Sequence, residues 1–410
     1  MTNNHLIVGL GASAGGFEAF KTFFQHMPAD SGMAFVLIQH LAPEKQSMLA
    51  DLLGRHTNMP VIEATHGMAV EPNRVFVIPP NATLTLKDSR LQLEKPAPAR
   101  GQRWPVDAFF TSLAADQGER AVCIILAGGG SDGTLGLKAV KELGGFTLAQ
   151  AEHDAHALKG MPQSATATGL VDFVMAVEEM PAKLLQYAQH LVDVDGRKSQ
   201  DGTREDVSGH VPQICALVKN RTGHDFSQYK NKTLVRRIQR RMQIVQIDSV
   251  FEYIKQLRKD AREAELLFRD LLINVTQFFR DQEAFELLEK DVIPRLIERT
   301  ALDETIRVWV PGCATGEEAY SLAILLEEVM TRQETKRRVQ VFATDLDDDA
   351  VRIARAARYP SSIASNMTKE RFDRWFVQDG TDYFPHTQSQ RSFCYRGNAH
   401  SCTVAAHGPA

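Results

Sequence analysis

Leu6-Ile-Val-Gly-Leu10-Gly-Ala-Ser13-Ala-Gly-Gly16 is the stretch whose reading decides the fold. Its apolar half predicts a strand and the amphipathic residues 17–27 behind it predict a helix, so the small residues between must make a tight turn at the strand's carboxyl end. Ser13 stands at the top of that turn. Its hydroxyl lies beside the free N–H groups of a helix start, which favour developing negative charge. Gly9-x-Gly11-x-x-x-Gly15 also resembles a dinucleotide fingerprint. Such a site requires an Asp or Glu at the end of the second strand to hold the ribose hydroxyls. Here the second apolar run, residues 33–38, ends in Gln39-His40. In place of a ribose acceptor stands an imidazole, placed to serve Ser13 as a general base.

A third turn supplies the partner that a base needs. Residues 121–126 form an apolar run that predicts a buried parallel strand, and it ends in Ala127-Gly-Gly-Gly-Ser-Asp132. Asp132 therefore shares an edge with Ser13 and His40, and Gly129 and Gly130 leave backbone N–H groups accessible for an oxyanion. A glycine turn is usually only a turn, and a histidine after a strand is usually structural. Three candidate triad members on three strand ends favour a hydrolase. Strands over 6–11, 33–39, 121–127 and 146–150 alternate with helices over 17–27, 44–56, 106–116, 134–143 and 181–192, which predicts an α/β fold with a doubly wound parallel sheet over residues 1–192.

The 410 residues suffice for two or three domains, and a net charge of −4 gives no case for nucleic acid. No apolar run approaches the roughly 20 residues of a membrane span, so no membrane insertion is expected, and Met1-Thr-Asn-Asn-His5 is no signal peptide. The five cysteines are scattered with no pair spaced for a metal, and Cys123 lies inside an apolar strand. A reduced thiol in a cytoplasmic protein without a metal site is expected.

Residues 193–208 are polar and aperiodic and are expected to be a linker; 209–298 then carry a helical pattern. There Leu234, Ile238 and Met242 form a core stripe, and Arg236, Arg237, Arg240 and Arg241 form a basic face, either solvated or a dock for an acidic partner. A third region, 299–385, opens with an apolar run, 306–310, and the turn Pro311-Gly-Cys-Ala-Thr-Gly316. The turn suits a nucleotide-like ligand but lacks the Gly-Lys-Ser/Thr of a phosphate loop. Its second strand, 339–343, ends in Thr344-Asp345, a carboxylate placed to accept both ribose hydroxyls. This is the pattern of a nucleoside cofactor site, and the pattern does not choose the cofactor.

Gly11-Ala-Ser-Ala-Gly-Gly16, Ile38-Gln-His-Leu41, Ile78-Pro-Pro80, Gly130-Ser-Asp-Gly-Thr134 and Gly160-Met-Pro162 resemble the catalytic domain of the chemotaxis receptor methylesterase CheB over about the first 190 residues. The resemblance implies a triad of Ser13, His40 and Asp132. Where the family often has Ser-Thr-Gly-Gly, this chain has Ser13-Ala-Gly-Gly. Asn274-Val-Thr-Gln-Phe-Phe-Arg280, residues 309–323 and Phe342-Ala-Thr-Asp-Leu-Asp347 resemble the chemotaxis receptor methyltransferase CheR with its N-terminal helical domain, over residues 210–384. This implies S-adenosylmethionine contacts at Asn274, Thr276, Arg280, Glu318 and Asp345, and a basic helix, Arg236 to Arg241, facing an acidic receptor.

After Pro385 the resemblance stops. Residues 386–410 show no period and are expected to be a disordered tail, leaving an incomplete Rossmann-like methyltransferase sheet, as a frameshift near codon 385 would. No receiver-like segment precedes Thr2, so phosphorylation control in cis is not expected. The function implied is chemoreceptor adaptation: a protein-glutamate methylesterase linked to an S-adenosylmethionine-dependent glutamate O-methyltransferase half, of which weak or no activity is expected because its pocket wall is missing, with methyl-accepting chemoreceptors as partners. The alternative is a receptor-docking or S-adenosylmethionine-sensing module without methyl transfer, and a nicotinamide-dependent oxidoreductase is opposed by His40.

Overall fold

A computed structural model describes residues 5–39, 48–94, 104–151, 160–201, 207–272, 276–301, 303–380, 382–386 and 393–396. The chain forms two compact units, Met1–Ile273 and Asn274–Ala410.

In the first unit, β1 (Ile7–Ala12), α1 (Gly16–His26), β2 (Ala34–Gln39), α2 (Leu49–Leu53), β3 (Val61–Glu63) and β4 (Arg74–Val77) precede a hairpin of β5 (Thr83–Lys87) and β6 (Arg90–Glu94). There follow α3 (Pro105–Gln117), β7 (Ala121–Ile125), α4 (Thr134–Glu142), β8 (Phe146–Gln150), α5 (Gly160–Ala167), β9 (Phe173–Met175) and α6 (Met180–Asp201). Seven strands pair in the order β3-β4-β2-β1-β7-β8-β9, all parallel. Because side chains alternate along a strand, each strand feeds two cores. Val8, Leu10 and Ile124 pack with Phe20 and Phe23 of α1 and Leu184 of α6. Ile7, Val36 and Cys123 pack with Phe109 and Phe110 of α3 and Leu137 of α4. The sheet is therefore doubly wound, as its sequence pattern predicts.

The glycines of β1 serve this packing. A Cβ on Gly11 would lie 2.3 Å from Val106 Cγ1, and one on Gly9 would lie 2.8 Å from Phe110 Cε1. Both positions are taken by α3 lying close on the sheet, which accounts for two glycines of the apparent dinucleotide fingerprint.

The same unit holds a four-helix cluster of α7 (Val207–Thr222), α8 (Asn231–Val245), α9 (Val250–Lys259) and α10 (Ala261–Leu271), packed on Leu234, Ile238, Tyr253 and Leu267. The expected linker over 193–208 is largely helix, since α6 continues to Asp201 and α7 begins at Val207. An aperiodic polar run lacks a core-facing stripe, but residues 193–201 carry no proline and only one glycine, and Arg197, Lys198 and Gln200 are good helix formers.

The second unit begins at Asn274 rather than near 299. It comprises α11 (Gln282–Leu287), α12 (Ile293–Arg299), β10 (Thr305–Pro311), α13 (Glu317–Arg332), β11 (Arg338–Thr344) and α14 (Asp348–Ala356). Then come β12 (Tyr359–Pro360), α15 (Lys369–Trp375), β13 (Phe376–Asp379), β14 (Asp382–Pro385) and β15 (Phe393–Arg396). The short strands β12-β14-β13 form an antiparallel sheet. The other sheet is β10-β11-β15, parallel throughout. Its third strand falls inside the tail expected to be disordered, because pairing with β11 supplies order that a local period does not. Ile306 and Val310 of β10 face the core, whereas Trp309 is 68% exposed.

Candidate active site and cofactor site

Ser13 follows the last residue of β1 and is half-buried. Its amide donates to Ala127 O at 3.0 Å, and its own carbonyl accepts from Gly16 N at 2.9 Å, which closes the turn behind the left-handed Gly15. The neighbouring turn fits tightly against it: a Cβ on Gly128 would lie 2.8 Å from Ser13 Cβ and 2.4 Å from Met161 Sδ. Gly129 and Gly130, by contrast, are exposed with nothing within 4 Å of a Cβ position. The serine turn thus lies against a turn whose Gly129 and Gly130 are open on their Cβ sides, while the Gly130 backbone packs on Gly160, where a Cβ would lie 2.3 Å from Gly130 N.

Asp132 leaves the same turn and is 3% exposed. Its Oδ2 accepts from Val106 N at 3.0 Å and its Oδ1 from Asp107 N at 2.9 Å, the first-turn amides of α3. His40 lies outside the described residues; Gln39 before it donates from Nε2 to Ser13 O at 3.4 Å, so the end of β2 reaches the serine turn. One further group was not foreseen. Asp107 is 6% exposed, and burial together with the Asp132 carboxylate pushes its carboxyl well above the usual range. In the sequence it reads as an acidic residue in the first turn of an amphipathic helix, and only the topology places it beside Asp132.

The basic face of α8 is not open to a partner in this structure, which corrects the expectation for Arg237, Arg240 and Arg241. These are 5%, 4% and 4% exposed; Arg236 alone is half-buried. Arg237 donates to Lys141 O and Glu142 O, both at 3.1 Å, capping the last carbonyls of α4. Arg240 donates to Gly145 O at 2.7 Å and pairs with Asp172 at 2.6 Å and Asp270 at 2.8 Å, while Lys141 Nζ meets the same two carboxylates. Arg241 grips Glu263 through two nitrogens, at 3.0 and 2.6 Å. Buried opposite charges take up a face that looks solvated on a helical projection.

In the second unit, the turn from β10 to α13 is held by Asp345. Its Oδ2 accepts from Ala314 N at 2.7 Å and its Oδ1 from Asp347 N at 2.9 Å. Each oxygen keeps acceptor capacity beyond its amide, and the residue is 8% exposed. Gly312 has φ 69° with nothing within 4 Å of a Cβ position, so a ligand can approach the turn there. Gly316, φ 96°, is closed in, since a Cβ would lie 2.8 Å from Ala354 Cβ. Thr276 is half-buried, Arg280 and Glu318 are exposed, and Asn274 lies outside the described residues. Glu317, which the sequence reading passed over, is the buried member of the acidic pair and accepts from Thr315 Oγ1 at 2.5 Å. Among the described residues no His, Cys, Asp and Glu cluster suits a metal ion, and no helix is long and apolar enough to cross a membrane.

Residues 8–184 match the family model of the CheB methylesterase, 210–272 that of the CheR methyltransferase all-alpha domain, and 274–395 that of the CheR SAM-binding domain. The last match runs ten residues past Pro385 and takes in most of β15. An uncharacterized 104.1 kDa protein of Rhodobacter capsulatus is 36% identical over 82% of this chain and 37% of its own length. A protein-glutamate methylesterase/protein-glutamine glutaminase of Pseudomonas aeruginosa is 36% identical over 44% of this chain and 53% of its own. The chain thus spans about a third to a half of these relatives. The crystal structure of the Thermotoga maritima CheB methylesterase catalytic domain is 28% identical, covering 44% of this chain and 98% of that one, with a TM-score of 0.41. The chain joins a CheB-type methylesterase domain to the helical and SAM-binding domains of the CheR type.

Proposed function

We propose that the first unit hydrolyses glutamate methyl esters on methyl-accepting chemoreceptors in the cytoplasm, and that the second unit holds S-adenosylmethionine for the opposing methyl transfer. In the hydrolysis His40 takes the Ser13 Oγ proton as the oxygen attacks the ester carbonyl. Asp132 orients the imidazole and stabilises its charged form, and the N–H groups of Gly129 and Gly130 receive the oxyanion. The proton passes to the departing methoxy group as methanol, and a water activated by the same histidine then frees the glutamate. The observation that carries this reading is the seating of Ser13 against the turn that continues into Gly129, Gly130 and Asp132. Ser13→Ala, assayed on a methyl-esterified receptor, should lose about 10⁴-fold or more in kcat. A variant that kept its rate would overturn the assignment.

The second unit's donor set fits a nucleoside cofactor, with Asp345 at the strand end and open space over Gly312. Asp345 would hold the ribose, and Asn274, Thr276, Arg280 and Glu318 the rest of S-adenosylmethionine. The cofactor supplies an electrophilic methyl group; the chain's own part is to bind it and to exclude water. Calorimetric titration with S-adenosylmethionine tests this half.

A further inference from the structure

We propose that Asp107 is a positioning residue of the esterase: it and Asp132 cap each other's helices, and this exchange fixes the triad acid relative to the strand that carries the nucleophile. The inference rests on the triad reading above. The first amides of a helix have no partner within it. At α3 the amides of Val106 and Asp107 find theirs in Asp132, at 3.0 and 2.9 Å. In return Gly136 N, in the first turn of α4, donates to Asp107 Oδ1 at 2.8 Å, with the Gly133 and Leu135 amides also turned to that carboxyl. Each carboxyl therefore sits at the positive end of the other's helix.

Close packing makes the exchange rigid. A Cβ on Gly136 would lie 2.4 Å from Phe110 Cβ, and one on Gly133 would lie 2.7 Å from Val106 Cγ1, so the two helix starts meet across glycines. Val106 is also the side chain that fills the space over Gly11 of β1, two residues before Ser13. One short path of contacts thus runs from the serine strand through the first turn of α3 to the Asp132 carboxylate. The charge state suits the role. Burial and the Asp132 carboxylate push the Asp107 carboxyl up against the pull of the α4 amides, and its Oδ2 has no hydrogen-bond partner among the described residues.

The test compares Asp107→Ala and Asp107→Asn by steady-state kinetics, with active serines counted by a fluorophosphonate, and by hydrogen exchange of the peptide spanning residues 104–110. Asp107→Ala should lower kcat per titrated serine by about tenfold to a hundredfold with KM nearly unchanged, the scale of a small misplacement of a catalytic group. Exchange over 104–110 should rise. Asp107→Asn, neutral and still an acceptor for Gly136 N, should restore kcat to within about threefold, which a purely structural defect would not predict. Should Asp107→Ala not fold, Asp107→Ser replaces it. An unchanged kcat per serine, an asparagine variant as impaired as the alanine, or unchanged exchange would each overturn the proposal. Failure of the triad reading is separate: Ser13→Ala would then retain hydrolysis, while exchange over 104–110 still judges the clamp.

Discussion

The turn after β1 and the turn after β10 share two hydrogen bonds but differ in backbone and contents, since Gly312, Ala314 and Gly316 are left-handed in the second and only Gly15 in the first. In each, the third residue donates its amide to the carbonyl at a neighbouring strand's end: Ser13 to Ala127 O and Cys313 to Thr344 O, both at 3.0 Å. In each, that residue's carbonyl accepts from a glycine three positions on, at 2.9 and 2.8 Å. Each helix starts behind a left-handed glycine, Gly15 or Gly316. Yet Ser13 is half-exposed against the turn that carries the exposed Gly129 and Gly130, while Cys313 is 1% exposed and the loop around it is tied down by Asp345. The backbone makes a ledge at a sheet edge, and the residue on the ledge with the residue at the next strand's end decides what it serves.

The sharpest way to break the comparison is to exchange its terms. Ser13→Ala should abolish hydrolysis on the scale given above. Cys313→Ser should leave S-adenosylmethionine binding within about threefold and cost about 1–3 kcal/mol of stability for a buried hydroxyl. A loss of binding as steep as the loss of hydrolysis would make both ledges reactive centres and erase the distinction.

The second way removes a brace that belongs to the first ledge. Helix α4 begins just behind the Asp132 turn and ends under Arg237 and Arg240 of α8. Arg240→Met breaks a buried ion cluster, with an expected cost of about 3–5 kcal/mol read by chemical denaturation of the full chain. Burial pushes the Asp172 carboxyl up, but Arg240 and Lys141 outweigh it and hold the group well below the usual carboxylate range; Asp270 is lowered in the same way. Their contribution is full above the unfolded carboxyl pKa of about 3.9 and is lost as pH falls through the lower folded values. Arg240→Met should therefore move the acid-unfolding midpoint to higher pH. An unmoved midpoint would show that α8 does not support this unit.

The two ledges also mark how much of the site is written in sequence. The strand-end places of Ser13 and Asp132 in one sheet, and of Asp345 in another, were legible because an apolar run, a small-residue turn and a strand-end acid are local signals that a parallel sheet converts into an edge; the roles of these residues are the proposal. The expected base, His40, lies outside the described residues, so its place in the triad stays a proposal. The arginines of α8 were misread because helical periodicity separates a polar face from an apolar one but cannot tell water from a buried Asp172 or Asp270. Asp107 was missed for a related reason. Its partner is 25 residues away, and the contact exists only because glycines at 133 and 136 let two helix starts meet. Helix over the supposed linker and the strand at Phe393–Arg396 escaped because neither carries a period of its own.

A smaller effect is expected at the end of β11. Asp345→Ala should weaken S-adenosylmethionine binding by about tenfold to a hundredfold in calorimetry, or about 1.4–2.8 kcal/mol, while esterase turnover stays unchanged. Asp345→Asn, which keeps one acceptor for Ala314 N, should fall between the alanine and the wild type. Equal losses in the two variants would favour charge over hydrogen bonding as the source of the effect.

The last prediction is of no reaction at all. Burial, and then the Asp345 carboxylate, push the Cys313 thiol up to about 12. At pH 8 the thiolate fraction is then about 10⁻⁴, and a thiol is a poor nucleophile without it. Iodoacetamide at that pH should leave the peptide carrying Cys313 unmodified in the native chain, while a fluorophosphonate labels Ser13 to about one equivalent, both read by peptide mass mapping. The two ledges would then differ by a nucleophile present and a nucleophile buried behind the same pair of turn hydrogen bonds. Fast alkylation at Cys313 would mean that the second turn opens in solution, and its likeness to the first would then extend from geometry to reactivity.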